Sequence, residues 1–182
     1  MNRTIIIGDV HGMVVELQSM LEKIESHATD TFVFVGDLVD KGPEAIETVR
    51  LIRNLSEQFN IVVLQGNHEE KHNRYRKHLA SDNGVADTMT GADEMGELTK
   101  AMSEKDKDFM EDFVPFHKIQ DYGILVVHAG IPGNMKEFPG TIVETLTFSN
   151  EQRKSLSRIL RTRHINIETG EAIRLGEETE AD

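Results

Sequence analysis

The strongest constraint on the fold is a strand-then-helix unit that occurs three times before residue 70. Each unit opens with a short apolar strand that ends at glycine and polar residues, as at Thr4–Ile7, Thr31–Val35 and Ile61–Leu64. Helical spacing follows at Met13–Ile24 and again after Pro43, which we place in the first turn of the second helix. This alternation predicts a largely parallel sheet with helices against it. Ligands of such sheets bind at the carboxyl ends of the strands, where these polar residues fall.

The composition limits the class of protein. The chain has 182 residues, 38% hydrophobic and 29% charged, which fits one domain with a single core. No apolar run could span a bilayer and no leader-like segment precedes the first strand, so we expect a cytoplasmic protein without a membrane partner. Cysteine is absent, which excludes disulfides and thiolate metal sites. A net charge of −12 argues against dedicated nucleic-acid binding, although bound cations would let an acidic protein act on phosphates.

The remainder of the single domain, predicted over residues 1–182, begins with a charged, mainly helical cap at about residues 70–114. Its expected elements are a helix over Glu70–Leu79, a loop or mobile cap over Ala80–Gly96, and a helix from a capping box at Ser103 to about Phe113. The later elements are predicted as a hairpin of Phe116–Gln120 with Ile124–Val127, a helix near Asn150–Leu160, a hairpin around Gly170, and a frayed acidic tail over Gly176–Asp182.

Four polar clusters follow apolar strands and carry the candidate chemistry. They are Gly8-Asp9-Val10-His11-Gly12, Gly36-Asp37-Leu38-Val39-Asp40-Lys41-Gly42, Gly66-Asn67-His68-Glu69 and His128-Ala129-Gly130. Any one of them has an ordinary explanation as a turn or a helix cap, but four in series favour a shared site. Aspartate, asparagine and histidine without cysteine suit Mn²⁺, Fe, Zn²⁺ or Mg²⁺.

These clusters match, in order, motifs of a known family. The segments GDVHG, GDLVDKGP, GNHE and HAG resemble the GDxHG, GDxVDRG, GNHE and HxG motifs of the calcineurin-like metallophosphoesterases. Within that family the chain resembles the phosphoprotein-phosphatase branch, and especially bacterial serine/threonine phosphatases and diadenosine-tetraphosphatase-like proteins. The resemblance implies an α/β fold, a metallophosphoesterase-type α/β/β/α sandwich with a helical cap.

The resemblance also implies a binuclear metal centre, with Mn²⁺ as the first expectation and Fe, Zn²⁺ or Mg²⁺ as alternatives. Asp9 and His11 would bind the first ion, and Asp37 would bridge both ions. Asn67 and His128 would bind the second ion. A bridging carboxylate is sensible because two-metal sites hold their ions about 3.5–4 Å apart, where the anion offsets cation repulsion.

The catalytic and phosphate-binding roles follow from the same resemblance. A hydroxide generated between the metals would attack phosphorus, and His68, oriented by Asp40, would protonate the leaving oxygen. The implied phosphate-binding residues are Lys41, Asn67, Arg161 and Arg163. Lys41 stands where the branch has arginine, and lysine offers a point charge in place of a planar fork.

Near the C-terminus the chain departs from the family pattern. The family supplies one more histidine to the second metal from a Gly-His pair, and no such pair occurs here. The segment Arg161-Thr162-Arg163-His164 instead resembles a stretch that precedes this histidine in diadenosine-tetraphosphatase-like members. We therefore expect that the chain lacks the last strands of the fold, and that an exposed sheet edge favours a dimer.

Three functions remain open at this stage. The first is hydrolysis of phosphate monoesters, on a phosphoprotein or a small phosphoester, and it is mildly favoured because the cap holds only Tyr75 and Phe109, with Phe113 at its edge, to stack bases. The alternative is a diadenosine polyphosphate hydrolase, and a second alternative is a catalytically impaired metal-binding relative. Glu69 is expected to support the site. The histidines without motif support are expected to be surface or local structure: His27, His72, His78, His117 and His164.

Overall fold

A computed structural model of the chain describes residues 3–132, 135, 138–142, 144–145 and 149–162, together with short strands at 164–165 and 172–173. The chain divides into two compact units, Met1–Phe113 and Val114–Asp182. That residues 1–182 form a single domain remains a prediction. None of the described helices combines the length and the apolarity that crossing a lipid bilayer requires.

The first unit contains the predicted parallel sheet. Its strands are β1 (Thr4–Ile7), β2 (Thr31–Phe34) and β3 (Asn60–Val63), in the order β1-β2-β3 with every pairing parallel. The central strand is almost fully buried, with Phe32 exposed by 1% and Phe34 by 0%. A strand covered on both faces must be apolar along its length, which is why β2 shows a continuous apolar run and no alternation. The sequence prediction of this sheet is confirmed.

Two amphipathic helices connect these strands. They are α1 (Val14–Ile24) and α2 (Ala45–Leu55), whose buried residues include Leu17, Val49 and Ile52. Together with β1–β3 they form the main hydrophobic core of the unit. The prediction that Pro43 lies inside the second helix is wrong, because Glu44 is the N-cap and α2 begins at Ala45. Pro43 therefore restricts the approach to the helix instead of filling its first turn.

Three further helices complete the first unit: α3 (Asn67–Ala80), α4 (Ala92–Ala101) and α5 (Glu104–Glu111), with a 3₁₀ turn at Ala86–Thr88. Helix α3 begins three residues before the predicted start, so the GNHE motif lies on its first turn. The loop predicted over Ala80–Gly96 is wrong from Ala92 onwards. A small cluster of Tyr75, Ala86 and Met95 packs there, and this tertiary contact stabilises α4 in spite of its internal glycine.

The predicted capping box at Ser103 is confirmed and is tied to α2. The Asp106 backbone N–H donates to Ser103 Oγ at 3.3 Å, and the Ser103 N–H donates to Asp106 Oδ2 at 2.9 Å. Asp106 also forms ion pairs with Arg50, at 3.4 Å, and Arg53. Burial acts to raise the pKa of Asp106, but the Ser103 hydrogen bonds and the two arginines outweigh it and lower this pKa. The cap of one helix is thus anchored to another.

The second unit contains the predicted hairpin of β4 (Phe116–Ile119) and β5 (Ile124–Val127), paired antiparallel. Helix α6 (Asn150–Ser157) continues into a 3₁₀ turn at Arg158–Leu160. A hydrophobic cluster of this unit consists of Phe116, Leu156, Ile159 and Leu160. The last predicted hairpin corresponds to β6 (His164–Ile165) and β7 (Ala172–Ile173), also antiparallel. Gly170 itself and the tail over Gly176–Asp182 lie outside the described residues.

A buried carboxylate joins the start of β1 to the start of β2. Asp30 accepts from Arg3 Nε at 3.0 Å, from Arg3 Nη2 at 2.6 Å, and from the His27 backbone N–H at 2.8 Å. The Asp30 side chain is 0% exposed. The Arg3 hydrogen bonds and the His27 N–H hold the pKa of Asp30 far below its usual range.

We predict that Asp30→Asn makes stability less dependent on pH. A carboxyl whose folded pKa is depressed stabilises the protein above its unfolded pKa, about 3.9, and loses this contribution as the pH falls. The variant should therefore unfold at lower urea than the native chain at pH 7, and the gap should shrink towards pH 3. Glu57→Gln, at an exposed position, is the matched control. An equal gap at both pH values would contradict this role of Asp30.

Candidate metal centre

The backbone exits of β1 and β2 are joined directly by hydrogen bonds. The N–H groups of Val10 and His11 donate to the Asp37 carbonyl at 3.1 and 2.9 Å, and the Gly12 N–H donates to the Leu38 carbonyl at 2.8 Å. Because β1 and β2 are parallel neighbours in register, their carboxyl ends lie side by side and these two loops can pair. The first two polar clusters therefore meet, as the sequence predicts.

The third cluster joins them through the buried carboxylate of Glu69. This side chain is 0% exposed and accepts four backbone N–H bonds: from Asp37 at 2.8 Å, Leu38 at 2.7 Å, Val39 at 3.2 Å and Gly66 at 3.0 Å. Burial raises the pKa of Glu69, and the neighbouring Asp37 carboxylate raises it further against the N–H donors. One carboxylate therefore holds the loop after β2 and the first turn of α3 together.

Two glycines allow this close approach. Gly36 has a φ of +101°, and a Cβ at this position would lie 2.7 Å from the Cα of Gly66. A Cβ at Gly66 would collide in turn with the Asp37 carboxylate and backbone. The loops that follow β2 and β3 therefore approach each other more closely than any residue with a Cβ atom would permit.

Four non-glycine residues of these loops adopt left-handed backbone conformations. They are His11, Asp37, Asp40 and Lys41, with φ values of 48°, 51°, 64° and 65°. Such conformations cost of order 1–3 kcal/mol each and cluster at functional sites. All four are residues for which the sequence predicts a metal-binding, catalytic or phosphate-binding role.

His11, Asp9 and Asp37 aim their ligand atoms at one region. His11 Nε2 lies 3.7 Å from Asp9 Oδ2 and 3.7 Å from Asp37 Oδ2. The other ring nitrogen of His11, Nδ1, is 2.9 Å from the Val39 carbonyl, which can only accept, so Nδ1 carries the hydrogen. The lone pair of Nε2 thus points to the two carboxylates and to Lys41 Nζ, 2.9 Å away. Such carbonyl-oriented imidazoles are typical of metal ligands.

His68 approaches the same carboxylate oxygen of Asp37 as His11 does. His68 Nε2 lies 3.8 Å from Asp37 Oδ2, and its Nδ1 lies 2.6 Å from Asp40 Oδ2. The His68 backbone N–H also donates to Asp37 Oδ1 at 3.1 Å. The rings of His11 and His68 meet edge to face, with their centroids 5.1 Å apart. The predicted pairing of His68 with Asp40 is thus present in the geometry, while the catalytic roles stay predictions.

Sequence reasoning missed His72. It was expected to be surface or local structure, yet its side chain is 0% exposed and its Nε2 lies 2.7 Å from Asp40 Oδ1. Burial acts to raise the pKa of Asp40, but the hydrogen bonds from His72 and His68 outweigh it and hold this pKa far below its usual range. The available signal was the four-residue spacing from His68, which places both rings on one face of a helix.

Asp9, His11, Asp37 and His68 together form what we call the histidine–aspartate centre. Ligand atoms of His11, Asp37 and His68 all lie within 4.8 Å of one another. Ligands about 2.1 Å from a common ion are separated by roughly 3–4 Å. The distances of 3.7 and 3.8 Å from Asp37 Oδ2 to the two imidazole nitrogens fit this range. Oxygen and imidazole donors without sulfur suit Mn²⁺, Fe, Zn²⁺ or Mg²⁺. His68, predicted as an acid, thus lies among possible metal ligands.

The remaining predicted site residues belong to α3 and to the second unit. Asn67 is the first residue of α3, one position before His68. His128 directly follows β5 in the second unit, where the Ala129 N–H donates to the Ile159 carbonyl at 3.0 Å. Arg161 is exposed and follows the 3₁₀ turn of the same unit. Arg163 lies outside the described residues.

The family is shown by a match that covers most of the chain. Residues 3–170 match the model of the calcineurin-like phosphoesterase family. The chain therefore belongs to the calcineurin-like phosphoesterase family, as the four motifs predict. Members of this family use divalent metals.

Several curated relatives carry one name. The chain is 31% identical over 131 residues to the symmetrical bis(5′-nucleosyl)-tetraphosphatase of Marinomonas sp. strain MWYL1, covering 71% of this chain and 44% of the relative. It is 30% identical over 153 residues to the protein of that name from Pseudomonas putida strain W619, covering 79% and 49%. The chain thus spans about half the length of the curated relatives it matches.

Solved structures share the fold. A protein provisionally assigned as a diadenosine tetraphosphatase superimposes with a TM-score of 0.58 at 24% identity, over 75% of this chain and 53% of that one. A cold-active protein tyrosine phosphatase superimposes with a TM-score of 0.52 at 17% identity, over 86% and 47%. At these identities the likeness concerns the fold alone, and it confirms the predicted metallophosphoesterase-type α/β class.

We predict that Glu69→Gln destabilises the first unit. The amide keeps one acceptor oxygen but turns an NH₂ group towards backbone N–H donors, which leaves buried donors unpaired. The free energy of unfolding should fall by about 3 kcal/mol, measured by urea denaturation at pH 7.

The matched control for this measurement is Glu70→Gln. Glu70 is the next residue of α3 and pairs at 3.4 Å with Arg74, whose side chain is 50% exposed. Loss of this ion pair should lower the free energy of unfolding by no more than about 0.5 kcal/mol. Equal effects of the two substitutions would show that the buried carboxylate does not join the loops.

Proposed function

We propose that this chain hydrolyses phosphoester bonds with the help of two divalent cations, Mn²⁺ being the first expectation. The observation that carries the proposal is the position of Asp37 Oδ2, 3.7 Å from His11 Nε2 and 3.8 Å from His68 Nε2, with Asp9 facing the same His11 nitrogen. When bound, such ions polarise a phosphoryl oxygen and activate water at neutral pH. The family to which the chain belongs supports the same chemistry.

In this proposal each residue of the histidine–aspartate centre has a defined task. Asp9 and His11 hold one cation, and the Val39 carbonyl fixes the His11 ring so that Nε2 faces it. Asp37 would contact both cations, and the motifs assign Asn67 and His128 to the second one. The assignment of Asn67 and His128 rests on the motifs, not on measured contacts.

His68 is proposed to supply the proton that the leaving oxygen requires. Asp40 Oδ2 accepts from His68 Nδ1 at 2.6 Å, which directs the opposite nitrogen towards Asp37 and the reacting phosphate. A positioned acid of this kind contributes typically 10²- to 10⁴-fold to the rate. An imidazole oriented by a carboxylate suits this task because its ring cannot turn away from the substrate.

Lys41 and the start of α3 are proposed to receive the phosphate. Lys41 Nζ lies 2.9 Å from His11 Nε2, so a positive charge already stands beside the histidine–aspartate centre. Lys41 would offer this charge to an incoming anion. Asn67 lies at the N-terminus of α3, where backbone dipoles favour negative charge. Arg161 and Arg163 are proposed as further phosphate contacts.

A dinucleoside tetraphosphate is the substrate that the named relatives favour over a simple monoester. Relatives at 30–31% identity are symmetrical bis(5′-nucleosyl)-tetraphosphatases. Cleavage of a phosphoanhydride needs the same activated water and the same charge stabilisation as cleavage of an ester. A phosphoprotein or small phosphate monoester is the broader candidate, and a metal-binding relative without turnover is the outcome if neither is hydrolysed.

We predict metal-dependent hydrolysis of p-nitrophenyl phosphate that Asp37→Asn reduces by at least about 100-fold. Turnover is measured with Mn²⁺, Fe²⁺, Zn²⁺ and Mg²⁺ in turn, and after chelation. Asp121→Asn, at an exposed position of the second unit, is the matched control and should keep native activity. Folded native protein that turns over with none of the four metals would leave only the catalytically impaired relative.

We predict that diadenosine tetraphosphate is hydrolysed with a kcat/KM at least about 10-fold above that for p-nitrophenyl phosphate. Cleavage between the second and third phosphates yields two molecules of ADP, which chromatography separates from ATP and AMP. A phosphoserine peptide is assayed in parallel. Faster hydrolysis of the peptide, with the dinucleotide inert, would replace the dinucleotide by a phosphoprotein as the substrate.

A further inference from the structure

Two histidines of α3 share one carboxylate. His68 and His72 are four residues apart on the helix, so their side chains lie on the same face. Asp40 Oδ2 lies 2.6 Å from His68 Nδ1, and Asp40 Oδ1 lies 2.7 Å from His72 Nε2. Each oxygen of Asp40 therefore has its own imidazole partner, and the pair of rings clamps the carboxylate from two directions.

The hydrogen positions in this arrangement follow from the carboxylate. Both oxygens of the Asp40 carboxylate lie within hydrogen-bonding distance of an imidazole nitrogen, at 2.6 and 2.7 Å, and a carboxylate oxygen accepts hydrogen bonds. The nitrogens that face it, His68 Nδ1 and His72 Nε2, must then both carry hydrogens. His68 is left with Nε2 directed towards Asp37 Oδ2, 3.8 Å away.

The second nitrogen of His72 faces no hydrogen-bond partner among the described residues. Within the part of the chain that the structure describes, no donor or acceptor lies within bonding distance of His72 Nδ1, and the ring is 0% exposed. With the hydrogen on Nε2, the ring leaves only the lone pair of Nδ1 unpaired. An apolar side chain at this position would not bury an unpaired nitrogen at all. The hydrogen bond to Asp40 is therefore the interaction that favours histidine here.

We propose that His72 is a positioning residue for the proton donor His68. By donating Nε2–H to Asp40 Oδ1, it fixes the carboxylate so that Oδ2 stays on His68 Nδ1 and His68 keeps Nε2 towards the reacting phosphate. Asp40 needs this second contact because its backbone is left-handed, with a φ of 64°, and its side chain is 25% exposed on a loop. The inference rests on the proposed function for its catalytic consequence, but the hydrogen positions can be measured without turnover.

The first experiment measures the ring protonation of His68 and His72 by ¹⁵N NMR on the full chain without added metal. The expected result is a His72 whose Nε2 carries a hydrogen, and a His68 whose Nδ1 carries a hydrogen bonded to Asp40. In His72→Leu, the ¹⁵N signal of His68 Nδ1 should move, because Asp40 no longer holds this nitrogen in one position. A native His72 protonated on Nδ1 would overturn the proposal, and so would an unchanged His68 in the folded variant.

The second experiment measures how the loss of His72 depends on the leaving group. Poor leaving groups need the proton from His68, and good ones do not. For His72→Leu, we expect kcat/KM to fall at least 10-fold with phenyl phosphate and no more than 2-fold with 2,4-dinitrophenyl phosphate. His72→Gln retains an N–H donor near the position of Nε2 and should recover most of the loss. His78→Leu is the matched control, because His78 lies on the same helix and contacts Asn83 instead of Asp40.

A purely structural role for His72 predicts a different pattern. If the ring only fills space, His72→Leu lowers kcat/KM by the same factor for both leaving groups, and His72→Gln is no better than leucine; this pattern would overturn the proposal. Failure of the proposed function appears separately, as absence of turnover in the native protein. The NMR result for native His72 then still decides whether the clamp on Asp40 exists.

Discussion

The candidate site depends on one interaction, the acceptance of four backbone N–H bonds by the buried carboxylate of Glu69. These bonds reach the loop after β2 and the residue before α3, two segments separated by about thirty residues of sequence. Without a common acceptor, the N–H groups of Asp37, Leu38 and Val39 would have to find other partners away from water. The carboxylate thus stabilises a loop geometry that backbone pairing alone does not supply.

Helix α3 is the second organising element, because it combines anchoring and chemistry within its first two turns. Its first residues provide Asn67, His68 and Glu69, and His72 follows on the same face as His68. Glu69 points to the loop after β2, while both histidines point to Asp40 of that same loop. Any displacement of this helix would therefore change both the support of the loop and the proposed proton donor.

The sequence predicts the fold well where a local pattern and the tertiary packing agree. The three parallel strands, the hairpin of β4 and β5 and the capping box at Ser103 all fall within a residue or so of their predicted places. The prediction fails at α4, because its glycine and polar residues are typical of a loop. The contact of Met95 with Tyr75, which stabilises the helix, cannot be seen in the sequence. The prediction also fails at Pro43, because Glu44 is the N-cap and α2 begins only at Ala45.

The sequence predicts most residues of the candidate site, but it does not predict the contacts between them. The four motifs led to Asp9, His11, Asp37, Asp40 and His68, and the geometry gathers these residues in the first unit. His72 escaped because no motif includes it, and only burial reveals that its ring faces the carboxylate. The approach of His68 to Asp37 was likewise invisible in the sequence, since a spacing along the chain cannot give a distance across a loop.

The left-handed residues have a consequence for how this protein could change over time. Replacing His11, Asp37, Asp40 or Lys41 by glycine would relieve backbone strain at each position, yet would remove a proposed ligand or phosphate contact. The substitutions that would most directly stabilise the backbone therefore also remove the proposed activity. Selection for robustness and selection for turnover oppose each other at these four positions, and compensation must arise elsewhere in the fold.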